Sequence, residues 1–166
     1  MSTSYSVFKQ EVKNWIYNNF NKRSRILDVG SGCGTYWYLL HEKFKNIDSI
    51  EVFKPNIEKF NLKNKYQNVY NCDIKDFQYE YYDLIIFGDV LEHLTVKEAQ
   101  NSLDYAYDRC YNLIVAVPYM YEQGICEDNI YEIHKQPDLT PENVLERYPN
   151  LKLLYGNEKY GYYIKR

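Results

Sequence analysis

The chain has 166 residues, 45% of them hydrophobic and 26% charged, with 20 lysines and arginines against 23 acids and a net charge of -3. That length suits one domain with a substantial core rather than a catalytic domain plus a separate recognition module, and the composition excludes disordered, collagen-like and membrane-spanning classes. No strong basic field exists to draw in a nucleic-acid backbone and no secretory or bilayer-crossing run is present, so a cytoplasmic location is expected.

Tyr5, Phe8, Val12, Trp15, Ile16 and Phe20 recur at three- and four-residue intervals, which predicts an amphipathic opening helix ended by Asn18, Asn19 and Asn21. Residues 24–29 read as a short buried strand, followed by a glycine-rich turn and a helical stretch over 35–40. A second strand is expected over 47–52, a helix from Pro55 to Leu62 and a third strand over 68–72. Tyr82 to Phe87 is the clearest buried strand, and Thr95-Val96-Lys97-Glu98 has the capping-box pattern of a helix running to about Tyr107. Residues 112–117 supply a fifth strand, stopped by Pro118. A long connection follows to Leu139 and is read as an active-site lid. Thr140-Pro141-Glu142 caps a short helix, and 151–155 with 160–164 form a hairpin around Gly156 to Lys159.

Strands alternating with helices imply an α/β protein with parallel strands, right-handed crossovers and a ligand beyond the strands' carboxyl ends. The closing hairpin adds an antiparallel edge. Cys33, Cys72, Cys110 and Cys126 lack a Cys-x-x-Cys pair and are expected to be free thiols.

Directly after the first strand, Asp28-Val29-Gly30-Ser31-Gly32-Cys33-Gly34 places three glycines on alternate positions, where backbone must approach a ligand closely. The next helix aims its amide dipoles at this turn. A carboxylate at Asp28 suits a ligand with a cationic amino group and would repel a dinucleotide phosphate, favouring S-adenosylmethionine over a nicotinamide cofactor. Glu51, followed by Val52 at the end of the second strand, can accept hydrogen bonds from ribose hydroxyls. Asp73 and Ile74 supply a carboxylate for the adenine amino group and an apolar wall. Gly88 and Asp89 complete the expected cofactor contacts beyond the fourth strand.

The chain here resembles the class I S-adenosylmethionine-dependent methyltransferases, on the Asp-x-Gly-x-Gly-x-Gly turn, Glu51, Asp73 and the final hairpin. The resemblance implies a Rossmann-like αβα sandwich with a mostly parallel seven-stranded sheet and an antiparallel C-terminal hairpin strand. It would occupy a single domain over residues 1–166: an N-terminal helix (1–23), a cofactor-binding half (24–117), the lid (118–139), and a helix with the closing hairpin (140–166).

Gly88-Asp89-Val90-Leu91-Glu92-His93-Leu94 follows the fourth strand, at the rim where a transferable methyl group should sit. If the segment turns helically, Asp89, Glu92 and His93 share one face, with Val90, Leu91 and Leu94 packed beneath. His134, beyond the lid, is a candidate fourth ligand. Such an oxygen-rich set without thiolate suits Mg²⁺, Mn²⁺ or Fe²⁺ better than structural zinc. The segment also resembles the Glu-x-x-Glu-His element of the ubiquinone-pathway O-methyltransferases and the small-RNA terminal 2'-O-methyltransferases, with His134-Lys135 and Thr140-Pro141-Glu142 similar to their later His-containing segment. It departs at Asp89, one methylene shorter than the family's Glu. Plainer roles stay open: Asp89 and Glu92 capping or contacting the cofactor, His93 in the core, His134 on the lid surface. Without a metal, His93 or His134 would act as the base. Tyr119, Tyr121 and Tyr131 either stack on a planar acceptor or cover the end of the sheet.

The expectation is a methyltransferase acting on an oxygen of a small molecule or a nucleotide end, with no long nucleic-acid duplex as partner. The alternative is a catalytically silent methyltransferase-like subunit that binds cofactor or supports a partner. A nicotinamide-dependent oxidoreductase conflicts with Asp28 and the hairpin.

Overall fold

The computed structural model describes residues 6–166. Tyr5, the first apolar position of the expected opening helix, lies outside the described residues. Helix α1 (Lys9–Asn19) buries Val12 and Ile16 as the periodicity requires, but starts only at Lys9 because Phe8 takes a left-handed φ of 57°. The chain then alternates: β1 (Ile26–Val29), α2 (Thr35–Leu40), β2 (Ile47–Ile50), α3 (Lys54–Lys59), β3 (Val69–Tyr70), β4 (Tyr82–Gly88), α4 (Val96–Tyr107), β5 (Cys110–Pro118), α5 (Pro141–Arg147), β6 (Leu151–Gly156) and β7 (Tyr160–Lys165).

The seven strands form one sheet in the order β3-β2-β1-β4-β5-β7-β6. β1 to β5 run parallel, while β7 lies antiparallel to both β5 and β6. The closing hairpin therefore inserts its second strand next to β5 and leaves β6 at the edge. Strand order reverses between β1 and β4, which opens a crevice at their carboxyl ends.

Alternate strand residues face opposite layers, as the two-residue period dictates. Leu27, Val29, Ile85, Phe87, Leu113 and Val115 pack with Ala99, Leu103 and Ala106 of α4 and Val144 of α5. Ile26, Ile47, Leu84, Ile86 and Ile114 pack with Val12 and Ile16 of α1, Leu40 of α2 and Ile57 of α3. Each such aliphatic side chain contributes roughly 1.5–3 kcal/mol on burial, so helices on both faces follow from strands apolar on both sides.

Several boundaries shift for local reasons. The predicted helix to Leu62 stops at Lys59, because Asn61 takes a left-handed φ of 52° before a 3-10 turn over Leu62–Asn64. Pro118 is the last residue of β5, paired with Tyr160, and the next amide, of Tyr119, donates to the Lys159 carbonyl at 2.8 Å. At Thr95 the expected capping box is present, with its hydroxyl accepting from Glu98 N–H and the Glu98 carboxylate accepting from Thr95 N–H.

The 118–139 connection is held to the domain by its backbone. His134 N–H donates to the Gln123 carbonyl at 2.9 Å, and Lys135 and Gln136 N–H both donate to the Glu92 carbonyl, at 2.7 and 3.1 Å. Buried Gln136 donates to the Leu91 and Leu94 carbonyls and accepts from Tyr148 and Arg147. No helix among the described residues is long and apolar enough to cross a membrane.

Candidate active site

The turn after β1 is built against its neighbours. Gly30 has φ 65°, and a Cβ there would lie 2.7 Å from Val90 Cγ2, so a side chain is excluded by both conformation and space. Gly30 and Ser31 N–H donate to the Ile50 carbonyl at 2.9 and 3.2 Å, and the Ser49 hydroxyl donates to Ser31 Oγ at 2.7 Å. Glu51 locks the turn: Oε2 accepts from Gly32 N–H and Oε1 from Phe53 N–H, both at 2.8 Å. Burial raises the Glu51 carboxyl above its ordinary pKa, and the Phe53 and Gly32 amides partly offset this.

Beyond the turn lies a cavity of 380 Å³. Its wall includes Gly30, Gly32, Glu51, Val52, Asp73, Ile74, Asp89 and His93, which brings together most of the residues expected from the sequence. Asp28, Ser31, Gly34 and Gly88 are not part of this wall. Asp28 is 1% exposed and sits behind the turn, where the Tyr66 hydroxyl donates to Oδ2 at 2.5 Å and Oδ1 has no hydrogen-bond partner. The reason is register: Asp28 alternates with Leu27 and Val29 and so shares the α1–α2–α3 face with Ile26.

Asp73 caps a 3-10 turn, its Oδ1 accepting from Lys75 N–H, and Oδ2 lies 3.2 Å from the Lys75 ammonium. Lys75 also meets Glu98, which lies 3.4 Å from Lys135. The cavity rim is thus an alternating chain of charges. Sequence reasoning missed Asn56, Lys75, Asn129 and Glu132 in the wall; none sits in a recognisable motif, and three-dimensional folding of the lid alone places the last two.

Around His93, the one of the three in the cavity wall, Glu92, His93 and His134 each offer a ligand atom, all within 4.8 Å of one another. Glu92 is 1% exposed and its Oε2 has no hydrogen-bond partner. Burial raises its carboxyl pKa well above the ordinary value, and neighbouring Asp89 adds to this. His134 Nδ1 lies 2.7 Å from the Tyr121 carbonyl oxygen, so Nδ1 is the donor and Nε2 the ring atom turned away from that bond. His93 Nδ1 makes the same kind of contact with the Ile133 carbonyl at 3.4 Å, and its ring lies edge-on to His134 with centroids 4.8 Å apart. Burial, then the adjacent His134, lowers the His93 pKa.

Asp89 does not join this cluster among the described residues. The expected helical run does not form: only Leu91–His93 turn as a 3-10 helix, and Asp89 has a left-handed φ of 58°. Its Oδ1 instead accepts from the Tyr160 hydroxyl of β7 at 2.5 Å. His134 is buried, not a surface lid residue. Among the lid tyrosines, Tyr131 lines the cavity, whereas Tyr119 is buried with its hydroxyl against that of Tyr163 and is not free to stack on an acceptor. None of the four cysteines is in a disulfide among the described residues, and Cys72 stands in the cavity wall.

A family model described as a methyltransferase domain matches residues 27–112, the span from β1 into β5. Among solved structures, an S-adenosylmethionine-dependent methyltransferase from Clostridium acetobutylicum ATCC 824 is similar at TM-score 0.71 and 12% identity, over 98% of this chain and 92% of that one. Magnesium protoporphyrin IX methyltransferase from Synechocystis PCC 6803, with bound S-adenosylmethionine, gives TM-score 0.67 and 13% identity over 95% and 78%. The methyltransferase domain of bacterial CtHen1-CN gives 0.68 and 16% over 95% and 96%. At these identities the likeness is one of fold. No curated protein matches the sequence.

Proposed function

The chain belongs to the methyltransferase domain family, and on that footing we propose that it methylates an oxygen of a small molecule or a nucleotide end, using S-adenosylmethionine and a divalent cation held by Glu92, His93 and His134. The observation that carries this reading is the buried, partnerless Oε2 of Glu92 beside two imidazoles whose Nδ1 atoms face backbone carbonyls. A buried acceptor without a donor is costly, by roughly 1–3 kcal/mol, and a cation would satisfy it. Imidazoles oriented through a carbonyl on one nitrogen and open on the other are the usual second-shell arrangement of metal ligands.

One carboxylate and two imidazoles suit Mn²⁺, or Mg²⁺ with additional water ligands. Bound there, such a cation would lower the pKa of an acceptor hydroxyl. The cavity's wall would hold the cofactor, with Glu51 for the ribose, Asp73 for the adenine, and Ile50, Val52 and Ile74 as the apolar surface. In the transfer, an acceptor oxygen lone pair forms the C–O bond as the C–S bond breaks, leaving S-adenosylhomocysteine and a proton. Alignment supplies much of the rate, because the sulfonium already activates the methyl group. With no cation present, His93 Nε2 or His134 Nε2 would take that proton.

Mn²⁺ binding followed by electron paramagnetic resonance, with S-adenosylhomocysteine present, tests the reading. The native chain should bind Mn²⁺, and Glu92→Ala and His134→Ala should each lose that binding. A native chain that binds none overturns the metal role and leaves the two histidines as the acid–base groups.

A further inference from the structure

Lys9 is the only buried lysine or arginine among the described residues, at 9% exposure. Lys9 carries a desolvation cost through burial of its ammonium. It is the first residue of α1, where the amide dipoles oppose a cation. Its ammonium donates to the Tyr36 hydroxyl at 3.2 Å and lies over the Tyr36 and Tyr162 rings, 4.5 and 5.4 Å from their centroids. The Tyr36 ring in turn occupies the space beside Gly88, where a Cβ would come within 2.1 Å of it. Through Tyr36 the Lys9 ammonium is thereby placed toward Gly88 at the carboxyl end of β4, with Asp89 and Asp28 the acids that favour its charge.

Asp28, Glu51 and Glu92 are buried acids around the crevice and Asp89 stands in the cavity wall, and no second buried lysine or arginine is present among the described residues. A cofactor with its adenosine over Glu51 and Asp73 must run its methionyl end across the glycine turn toward β4. That end is a zwitterion. Its ammonium suits the acids, whereas its α-carboxylate calls for a cation. We propose that Lys9 binds the α-carboxylate of the cofactor's methionyl group, with Tyr36 and Tyr162 holding the ammonium in place. The assignment rests on the reading that the cavity takes S-adenosylmethionine, and it adds a contact outside the residues 27–112 that carry the family match.

Burial lowers the Lys9 pKa to about 8, with Asp89 and Asp28 opposing the shift, so the side chain is mostly charged at neutral pH. A carboxylate beside it adds a charge-assisted hydrogen bond in a site from which water is largely excluded.

The test is calorimetric titration of the full chain with three ligands: S-adenosylhomocysteine, its decarboxylated analogue, and 5'-methylthioadenosine. Native protein should bind the first about tenfold or more tightly than the decarboxylated analogue, as expected for a charged hydrogen bond. Lys9→Met should reduce that ratio to within about twofold and leave 5'-methylthioadenosine affinity unchanged, while Lys9→Arg keeps most of the ratio. A methionine variant that binds 5'-methylthioadenosine normally yet discriminates as the native chain does overturns the proposal. Should the variant not fold, the native chain still decides: the ¹⁵Nζ resonance of Lys9 should shift with S-adenosylhomocysteine and not with 5'-methylthioadenosine, and equal shifts with both overturn it. Binding of none of the three ligands overturns the cofactor reading, and this assignment with it.

Discussion

The Tyr160 hydroxyl donates to Asp89 Oδ1 at 2.5 Å, joining residues 71 apart in sequence. This bond engages Asp89 with β7, and so sets the composition of the proposed ligand cluster without a change in the local motif. Tyr160→Phe removes a donor to a carboxylate, and a loss of about 1.5–3 kcal/mol is expected in urea unfolding. Mn²⁺ affinity should stay within about twofold of native, since the Tyr160 hydroxyl bonds Asp89, which is not one of the three proposed ligands. A large loss of Mn²⁺ affinity would show that Asp89 and the cluster act as one unit.

Glu51→Gln tests the turn lock. The carboxylate accepts two backbone N–H groups, and an amide presents its NH₂ to one of them. S-adenosylhomocysteine affinity measured by calorimetry should fall about tenfold or more, with a small drop in thermal midpoint. Native-like affinity would mean that the turn holds its shape without Glu51.

Gly88→Ala and Gly124→Ala form a matched pair. A Cβ on Gly88 would lie 2.1 Å from Tyr36 Cε2, whereas Gly124 has nothing within 4 Å. Overpacking at Gly88 should cost about 1–3 kcal/mol or more, and Gly124→Ala should be within about 0.5 kcal/mol of native. Equal midpoints for the two variants in thermal unfolding would show that Tyr36 moves freely.

Burial raises the Asp28 carboxyl to about 7, with Tyr66 and Lys9 opposing the shift; in the unfolded chain it titrates near ~3.9. Between those values the folded chain keeps a proton that the unfolded chain has released. The group's contribution to stability therefore falls as pH rises from about 4 to about 7 and is level above. Asp28→Asn keeps an acceptor for Tyr66 and removes the titration. Its thermal midpoint should match native near pH 4 and exceed it from pH 7 upward. A native advantage at pH 8 would mean that the Asp28 charge is held favourably, through Lys9.

The sequence by itself determined the order and type of the elements, because apolar periods of two and of three to four residues, a capping box and paired glycines act over a few residues. It also determined the glycine turn, Glu51 and Asp73 at strand ends, and Glu92, His93 and His134 as candidates, since strand ends place residues at one rim of a parallel sheet. Boundaries at Phe8, Asn61 and Asp89 were decided by left-handed backbone conformations, to which side-chain pattern is blind. The tertiary structure alone gave Asp89 to Tyr160 and set Lys9 against Tyr36. These are long-range choices: each depends on which side chain a distant strand or helix brings within hydrogen-bonding reach, and no local spacing encodes that.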